Sequence, residues 1–171
     1  MKLRQAEFSR GYECEKTKNV LTYFSLLNEE NCLDFNPPYQ RDYEWGYAEQ
    51  QNLLLSLVMG DDIGRVALTI SPDDNDKFIV VDGKQRLMTI LLFLAGKLPF
   101  LHRGKAHYFP HDFDLDFARA LKKRSLFVTL LRYHDGSGLS LKDQVDFFLR
   151  VNYSGKPLSV DHQTKVLALL H

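Results

Sequence analysis

An apolar strand, a charged turn and an apolar helix follow one another without interruption in FIVVDGKQRLMTILLFLAG, residues 78–96. The turn is DGKQR, Asp82–Arg86, and burying such charges is costly unless they are paired or bind a ligand. The helix that follows is apolar on nearly all sides, which is typical of a central helix. Its predicted buried stripe is Leu87, Ile90, Leu91 and Leu94.

The turn has the features of an anion site at the start of a helix. Asp82 suits the N-cap position, and Gln85 lies three residues later, as in a capping box. The first N–H groups of a helix lack intrahelical partners and attract anions such as phosphate. Gly83 leaves the backbone open to a ligand. Lys84 and Arg86, expected to be exposed in the first turn, add positive charge.

Asp82 has three possible partners on this hypothesis: a hydrated Mg²⁺ ion, a water molecule or the Arg86 side chain. The ordinary alternative is that Asp82 only caps the helix and Arg86 is only a solvated side chain. Cations are disfavoured near a helix N-terminus, so Lys84 and Arg86 together favour a bound anion. The residues alone leave both interpretations open.

Two further polar clusters lie on either side of this turn in the sequence. PPYQRDYEW, residues 37–45, follows a proline pair that forces an extended segment, and its aromatic residues alternate with polar ones. FFLRVNYSGKPLS, residues 147–159, is a polar turn after an apolar helix. Each cluster alone is explained as an ordinary turn. Their candidate contacts to base, ribose or phosphate are Tyr39, Gln40, Arg41, Asn152, Ser154 and Gly155.

The hydrophobic periodicity predicts one helix-rich α+β domain of 171 residues, with residues 1–16 as a flexible N-terminal arm. Two strands are expected to pair antiparallel across the polar loop 71–77, and a third strand to follow later. Leu98–Pro110 is expected to be irregular. The predicted strands are 66–70, 78–81 and 126–132, and the predicted helices are 17–27, 47–59, 112–123 and those that begin at Asp82, Ser140 and Ser159.

The composition argues against several classes of protein. Lys+Arg and Asp+Glu both number 22, so the strong positive excess of many nucleic-acid-binding proteins is missing. The longest apolar run is too short to span a membrane, and no secretory signal is visible. Cys14 and Cys32 match no zinc pattern, and we expect reduced thiols in a cytoplasmic protein. The histidines at 102, 107 and 111 are expected to be solvated loop residues.

Taken in order, PPYQRDYEW, VVDGKQRLMTI and FFLRVNYSGKPLS resemble the three hallmark segments of the N-terminal domain of GmrSD-type modification-dependent restriction proteins. The resemblance covers about residues 17–171. It implies a ParB/sulfiredoxin-like domain with a small mixed or antiparallel sheet, nucleotide binding and hydrolysis, and a role in defence against foreign DNA such as phage DNA. It places the core of the site at Asp82, Gly83, Gln85 and Arg86, with Gln40 and Arg41 nearby. Lys84 stands where the family motif, DGQQR, has glutamine.

Three functional hypotheses remain open. The first is an NTP-binding domain that hydrolyses the γ-phosphate with Mg²⁺, with Asp82, Gln85 and Arg86 as catalytic residues. The second is a non-catalytic module that binds nucleotide or DNA, or docks to a restriction or nuclease partner, as a sensor, decoy or regulator. The third is a ParB-like DNA-binding or nicking domain, against which the zero net charge weighs. No recognisable nuclease pattern is present, so we expect no DNA cleavage by this chain alone. The preferred base, the partner and the oligomeric state are not decided by the sequence.

Overall fold

A computed structural model describes residues 11–153 and 159–170 of the chain. It confirms the predicted α+β class, with six helices and two sheets in that part of the chain. The elements are β1 (Glu13–Val20), α1 (Leu21–Glu29), β2 (Leu33–Asp34), α2 (Tyr47–Met59), β3 (Arg65–Ile70), β4 (Phe78–Asp82), α3 (Lys84–Leu94), β5 (Phe100–His102), β6 (Lys105–His107), α4 (Leu115–Lys123), β7 (Ser125–Arg132), α5 (Leu141–Tyr153), α6 (Val160–Leu167) and a terminal 3-10 turn (Ala168–Leu170).

The main sheet is mixed and has five strands in the order β1-β7-β3-β4-β2. β3 and β4 pair antiparallel, as predicted from the loop between them. β7 lies parallel to β3 and antiparallel to β1, and β2 lies parallel to β4. The short strands β5 and β6 form a separate hairpin within the region that we expected to be irregular, and they contain His102 and His107.

The central strands are buried on both faces. Val66, Leu68 and Val80 belong to one apolar cluster, which also contains the buried residues of α1, α2, α3 and α4. Ala67 and Val81 belong to a second cluster with residues of α5 and α6. Burial on both faces explains why VALTI and FIVV are continuous apolar runs rather than alternating ones.

The helix predicted over residues 17–27 is wrong at its start. Residues 13–20 form strand β1, which pairs with β7 along its whole length, from Glu13↔Arg132 to Val20↔Ser125. A strand ladder pairs every second backbone group, and this outweighs a weak helical stripe. Residues 13–16 of the predicted arm therefore lie in the sheet, whereas residues 1–10 lie outside the described residues. Helix α1 begins at Leu21.

Other predicted boundaries hold closely. Helix α2 spans Tyr47–Met59 as predicted, and Gly60 ends it in the left-handed conformation with φ 89°. Ser159 caps α6, because its Oγ accepts a hydrogen bond from the N–H of His162. Helix α4 starts at Leu115, three residues later than expected, because the Asp114 side chain accepts hydrogen bonds from two N–H groups of its first turn.

A buried threonine fixes the start of α5 against the sheet. The Thr69 hydroxyl donates to the carbonyl of Leu131 and accepts from the N–H of Leu139, both at 2.8 Å. Gly138 lies so close to β3 that a Cβ atom there would stand 1.8 Å from the carbonyl oxygen of Ile70. This junction places α5 over the second face of the sheet.

We expect Gly138→Ala to lower the free energy of unfolding by about 3 kcal/mol, because the added methyl group overlaps backbone that cannot move freely. Gly136→Ala is the control: its φ is +85° but a Cβ there has open space, so we expect only about 1 kcal/mol from backbone strain. Urea unfolding of both variants measures the difference. Equal losses would contradict the close contact with β3.

Candidate functional site

The structure brings parts of all three sequence clusters to one cleft. The cleft has a volume of about 290 Å³ and lies where β4 passes into α3. It receives residues from the segment before α2, from the turn itself and from α5. The lining residues are Gln40, Arg41, Trp45, Asp82, Gly83, Lys84, Gln85, Arg86, Phe148 and Asn152.

Gly83, not Asp82, is the N-cap of α3, so the predicted capping box is wrong. Asp82 is the last residue of β4, and Gly83 has φ 87°, a left-handed conformation that favours glycine. A Cβ atom at Gly83 would lie 2.8 Å from Cγ1 of Val66 and 3.0 Å from the carbonyl oxygen of Arg65. The backbone conformation and the close approach of β3 therefore already require glycine at this position.

No side chain of the described residues caps the N-terminus of α3. The first hydrogen bond of the helix runs from the N–H of Leu87 to the carbonyl of Gly83. The N–H groups of Lys84, Gln85 and Arg86 therefore have no intrahelical acceptor. These three donors, with the positive end of the helix dipole, lie at the cleft.

The Gln85 side chain holds the segment before α2 in place. Its Oε1 accepts from the backbone N–H groups of Glu44 (2.8 Å) and Trp45 (3.1 Å), and its Nε2 donates to the carbonyl of Asp42 (2.7 Å). Both ends of the amide are therefore engaged by backbone. This geometry makes Gln85 a positioning residue that shapes one wall of the cleft, and it does not support the predicted catalytic role.

Three further side chains form a hydrogen-bond network next to Gln85, and two of them, Thr89 and Gln50, were not singled out from the sequence. The Thr89 hydroxyl donates to the carbonyl of Gln85 at 2.8 Å and is hydrogen-bonded to the Tyr43 hydroxyl, also at 2.8 Å. Gln50 donates from Nε2 to the Tyr43 hydroxyl and to the carbonyl of Trp45. The alternation of Tyr39, Tyr43 and Trp45 indicated burial, but nothing in it pointed to this network.

Asp82 and Arg86 are half-buried and influence each other electrostatically. Burial raises the pKa of the Asp82 carboxyl, although the Gly83 N–H and the Arg86 charge oppose this. Burial lowers the pKa of Arg86, against the charges of Asp82 and Asp62. Arg86 donates from Nη1 to the carbonyl of Arg65, which anchors the guanidinium beside β3. The cleft thus contains a carboxyl and a guanidinium that both lack full solvation.

Lys84 is not the exposed cation that the sequence predicted. Its side chain is only 5% exposed, and its Nζ donates to Oδ1 of Asn36 at 3.0 Å. Burial lowers its pKa, while nearby Asp42, Asp34 and Glu44 partly oppose the shift. Asn36 lies shortly after β2, so this hydrogen bond joins the first residue of α3 to that segment. A structural role in joining α3 to that segment therefore fits Lys84 better than a direct phosphate contact.

Residues 39–41 have different places in the structure. Tyr39 is fully buried: its hydroxyl donates to Oε1 of Gln144, and its ring packs on Phe148. Burial also raises its pKa. It does not line the cleft, so a direct ligand contact is not supported. Gln40 lines the cleft and donates from Nε2 to the carbonyls of Val80 and Val81, and half-buried Arg41 pairs with Glu44 at 3.1 Å.

Of the third cluster, Asn152 reaches the cleft. Its Nδ2 donates to the carbonyl of Phe148, one turn earlier in α5, which leaves Oδ1 to accept. Ser154 and Gly155 lie outside the described residues. His162 of α6 was not predicted; its Nε2 hydrogen-bonds the carbonyl of Tyr39 at 2.9 Å, beside the ring of Phe148. It thereby ties the C-terminal helix to the segment that carries Gln40 and Arg41.

The described residues contain no group of three or more potential metal ligands. Among the described residues that line the cleft, Asp82 is the one with a carboxylate. Mg²⁺ commonly takes one or two protein carboxylates and completes its shell with phosphate oxygens and water. The donor set therefore fits Mg²⁺ only as an ion that a phosphate ligand brings and Asp82 helps to hold.

The fold and the cleft define a small α+β domain with an uncapped helix N-terminus at a polar site. The profile of the family described as GmrSD restriction endonuclease, N-terminal domain, matches residues 23–168. The chain belongs to this family, and its function is related to restriction systems. Searches of curated proteins and of solved structures give no match. In the part of the chain that the structure describes, no helix has the length and hydropathy needed to cross a membrane.

We expect Gln85→Ala to lower the free energy of unfolding by about 2–3 kcal/mol, because three hydrogen bonds of about 1 kcal/mol each are lost. Arg41→Ala, which removes a solvent-accessible ion pair, should cost less than about 1 kcal/mol. Denaturant titration compares the two variants. A Gln85→Ala protein as stable as the parent would show that the amide does not hold the segment before α2.

Lys84→Ala should cost about 2 kcal/mol of stability, since it removes a buried aliphatic stem and the hydrogen bond to Asn36. Lys97→Ala removes an exposed lysine just beyond α3 and should change stability by about 0.5 kcal/mol or less. Thermal unfolding of both variants, in parallel with the parent, tests the assignment. If the Lys84→Ala variant melted at the same temperature as the parent, Lys84 would be a solvated cation without a structural role.

Proposed function

We propose that the cleft binds the phosphate groups of a nucleoside triphosphate, and that this nucleotide site serves a restriction system. The observation that carries the proposal is the uncapped N-terminus of α3, which opens into a cleft with two guanidinium groups, Arg41 and Arg86. Three N–H donors without an intrahelical acceptor, together with the helix dipole, favour a multiply charged anion there. The family membership supports a role in restriction, whereas the ligand is inferred from the chemistry of the site.

Arg86 is the side chain best placed to select phosphate. Among the described residues, Arg86 donates one hydrogen bond, from Nη1 to the carbonyl of Arg65, so Nε and Nη2 keep donors for an incoming oxygen. The anchor on the Arg65 carbonyl limits the movement of the guanidinium and reduces the entropy lost on binding. Arg41 has greater solvent exposure and would have to exchange Glu44 for the ligand. We therefore assign the main phosphate contact to Arg86 and a secondary one to Arg41.

The Asp82 carboxylate would repel a phosphate unless a cation lies between them or the carboxyl is protonated. A Mg²⁺ ion carried by the nucleotide satisfies both anions and neutralises charge on the phosphates. Asp82 would then hold the ion or its bound water, and the raised pKa also suits it to take a proton from a water molecule. Hydrolysis of the γ-phosphate, if it occurs, depends on Asp82 rather than on Gln85.

Trp45 gives the cleft an aromatic wall, and Gln85 fixes its backbone. A half-buried indole offers a surface on which a nucleobase can stack, which is tolerant of base identity. The site therefore offers a group for each part of an Mg²⁺-bound nucleotide. Trp45 can stack on the base, the N–H groups and Arg86 can bind the phosphates, and Asp82 can hold Mg²⁺.

Arg86→Ala should weaken binding of a non-hydrolysable NTP analogue with Mg²⁺ by about 2–3 kcal/mol, because charge-assisted hydrogen bonds are lost. Calorimetry with purified protein measures this. Arg119→Ala is the matched control, since Arg119 pairs with Asp116 on the exposed surface of α4 and should leave affinity unchanged. Equal affinity of Arg86→Ala and parent would disprove the proposed phosphate site.

Release of inorganic phosphate from NTP separates hydrolysis from binding in the same experiment. Asp82→Asn keeps the size and the acceptor toward the Gly83 N–H but loses the charge and the base. If the chain is an NTP hydrolase, this variant binds the analogue and loses phosphate release. If the parent binds nucleotide and releases none, the domain is a nucleotide sensor.

A further inference from the structure

A basic groove lies on the sheet, outside the nucleotide cleft. It consists of two adjoining cavities of about 510 and 380 Å³ that share Lys18, Asp62 and Phe127. Five cations line the two cavities, against the two carboxylates of Asp61 and Asp62. The cations are Lys16, Lys18, Arg65, Lys123 and Arg124.

The strand register explains why this surface is open. On β7, Leu131, Thr129 and Phe127 point to the same face because side chains alternate along a strand. At Leu131 that face is covered, since Leu131 packs in the second apolar cluster with residues of α5. At Phe127 it is uncovered, and the neighbours across the sheet are Lys18 on β1 and Arg65 on β3. The same face of the sheet is thus part of the core at Leu131 and part of the basic groove at Phe127.

The groove cations form no ion pair with a carboxylate of the described residues. Within the described chain, Lys16, Lys18, Arg65 and Lys123 have no carboxylate within 4.0 Å, whereas Arg41, Arg119 and Arg132 each form an ion pair. Asp62 instead accepts a hydrogen bond from the N–H of Gly64, which turns it toward its own loop. The chain as a whole is neutral, so this local excess of positive charge is balanced elsewhere on the molecule.

An aromatic ring lies among these cations. Phe127 is 46% exposed, and Nζ of Lys18 lies 5.0 Å from its ring centroid. Cations that follow a chain of phosphates, with an aromatic ring on which a base stacks, form the pattern that binds single-stranded nucleic acid. A duplex offers no unstacked base to such a ring, and the groove residues form a concave sheet surface rather than an element that enters a duplex groove.

The groove also borders the nucleotide cleft. Arg86 reaches from the cleft to the carbonyl of Arg65, and its guanidinium fills the space beside Gly64, which lines the groove. A polynucleotide strand bound in the groove would therefore contact Arg65 and Gly64, the two residues that Arg86 touches.

We propose that the groove formed by β1, β3, β7 and the loop after α2 binds the phosphate backbone of a single-stranded polynucleotide, with Phe127 stacking against one base. The proposal rests on residues that lie outside the nucleotide cleft and does not depend on nucleotide binding there.

The test is fluorescence anisotropy with labelled oligodeoxythymidylate and oligouridylate of about 10 nucleotides, at several salt concentrations. The triple variant Lys16→Gln, Lys18→Gln and Lys123→Gln should bind at least tenfold more weakly at low salt. The slope of log affinity against log salt should fall in magnitude by about 2, because each lost phosphate contact contributes about 0.7 for a single strand. In the otherwise unchanged protein, Phe127→Ala should also weaken binding of the oligonucleotide, whereas Phe127→Tyr should retain the parent affinity.

The control is Lys97→Gln, Lys105→Gln and Lys142→Gln, which removes the same charge from exposed positions outside the groove and should leave affinity and slope unchanged. Comparison of the thymidylate and uridylate arms identifies DNA or RNA as the preferred strand. NTP binding by the groove variant should equal that of the parent, so failure of this proposal and failure of the nucleotide site are separable. Equal losses in the two triple variants, no binding by the parent, tighter binding of a duplex, or full competition by polyglutamate would overturn it.

Discussion

The left-handed turn at Gly83 is the constraint on which the site depends. It carries the chain from a strand that is buried on both faces directly into a central helix, which no side chain of the described residues caps. Because β3 packs against the turn, the backbone there cannot move outward. The N-terminus of α3 is therefore held at the cleft, where its first N–H groups have no intrahelical acceptor, and such preorganised donors favour a bound anion.

Around that turn the polar residues separate into those that hold the site and those that face it. Gln85 and Lys84 form hydrogen bonds to the segments before α2 and after β2 and hold them in place. Asp82 and Arg86 remain with incompletely solvated charge. Natural proteins retain unfavourable burial of this kind at functional sites. Because Asp82 and Arg86 carry opposite charges at the cleft, they suit a ligand that itself carries both charges, such as a nucleotide with Mg²⁺.

The sequence predicted the elements better than it predicted the roles of their residues. Helix α2, the β3–β4 pair and the convergence of three clusters follow from periodicity and from the family motifs. The capping role of Asp82 and the exposure of Lys84 were wrong because both depend on the sign of one φ angle, which glycine leaves open. Strand β1 was missed because its partner, β7, lies more than 100 residues away in the sequence. The hydrophobic pattern of residues 13–20 does not reveal a pairing over that distance.

We propose that the N–H groups at the start of α3, which lack intrahelical acceptors, bind the phosphates of a nucleotide. Backbone amide NMR signals of Lys84, Gln85 and Arg86, followed during titration with an Mg²⁺-bound NTP analogue and with the corresponding nucleoside, test it most directly. We expect these three signals to shift the most with the triphosphate and to change little with the nucleoside. Saturable shifts elsewhere in the protein, with these three signals unmoved, would contradict it.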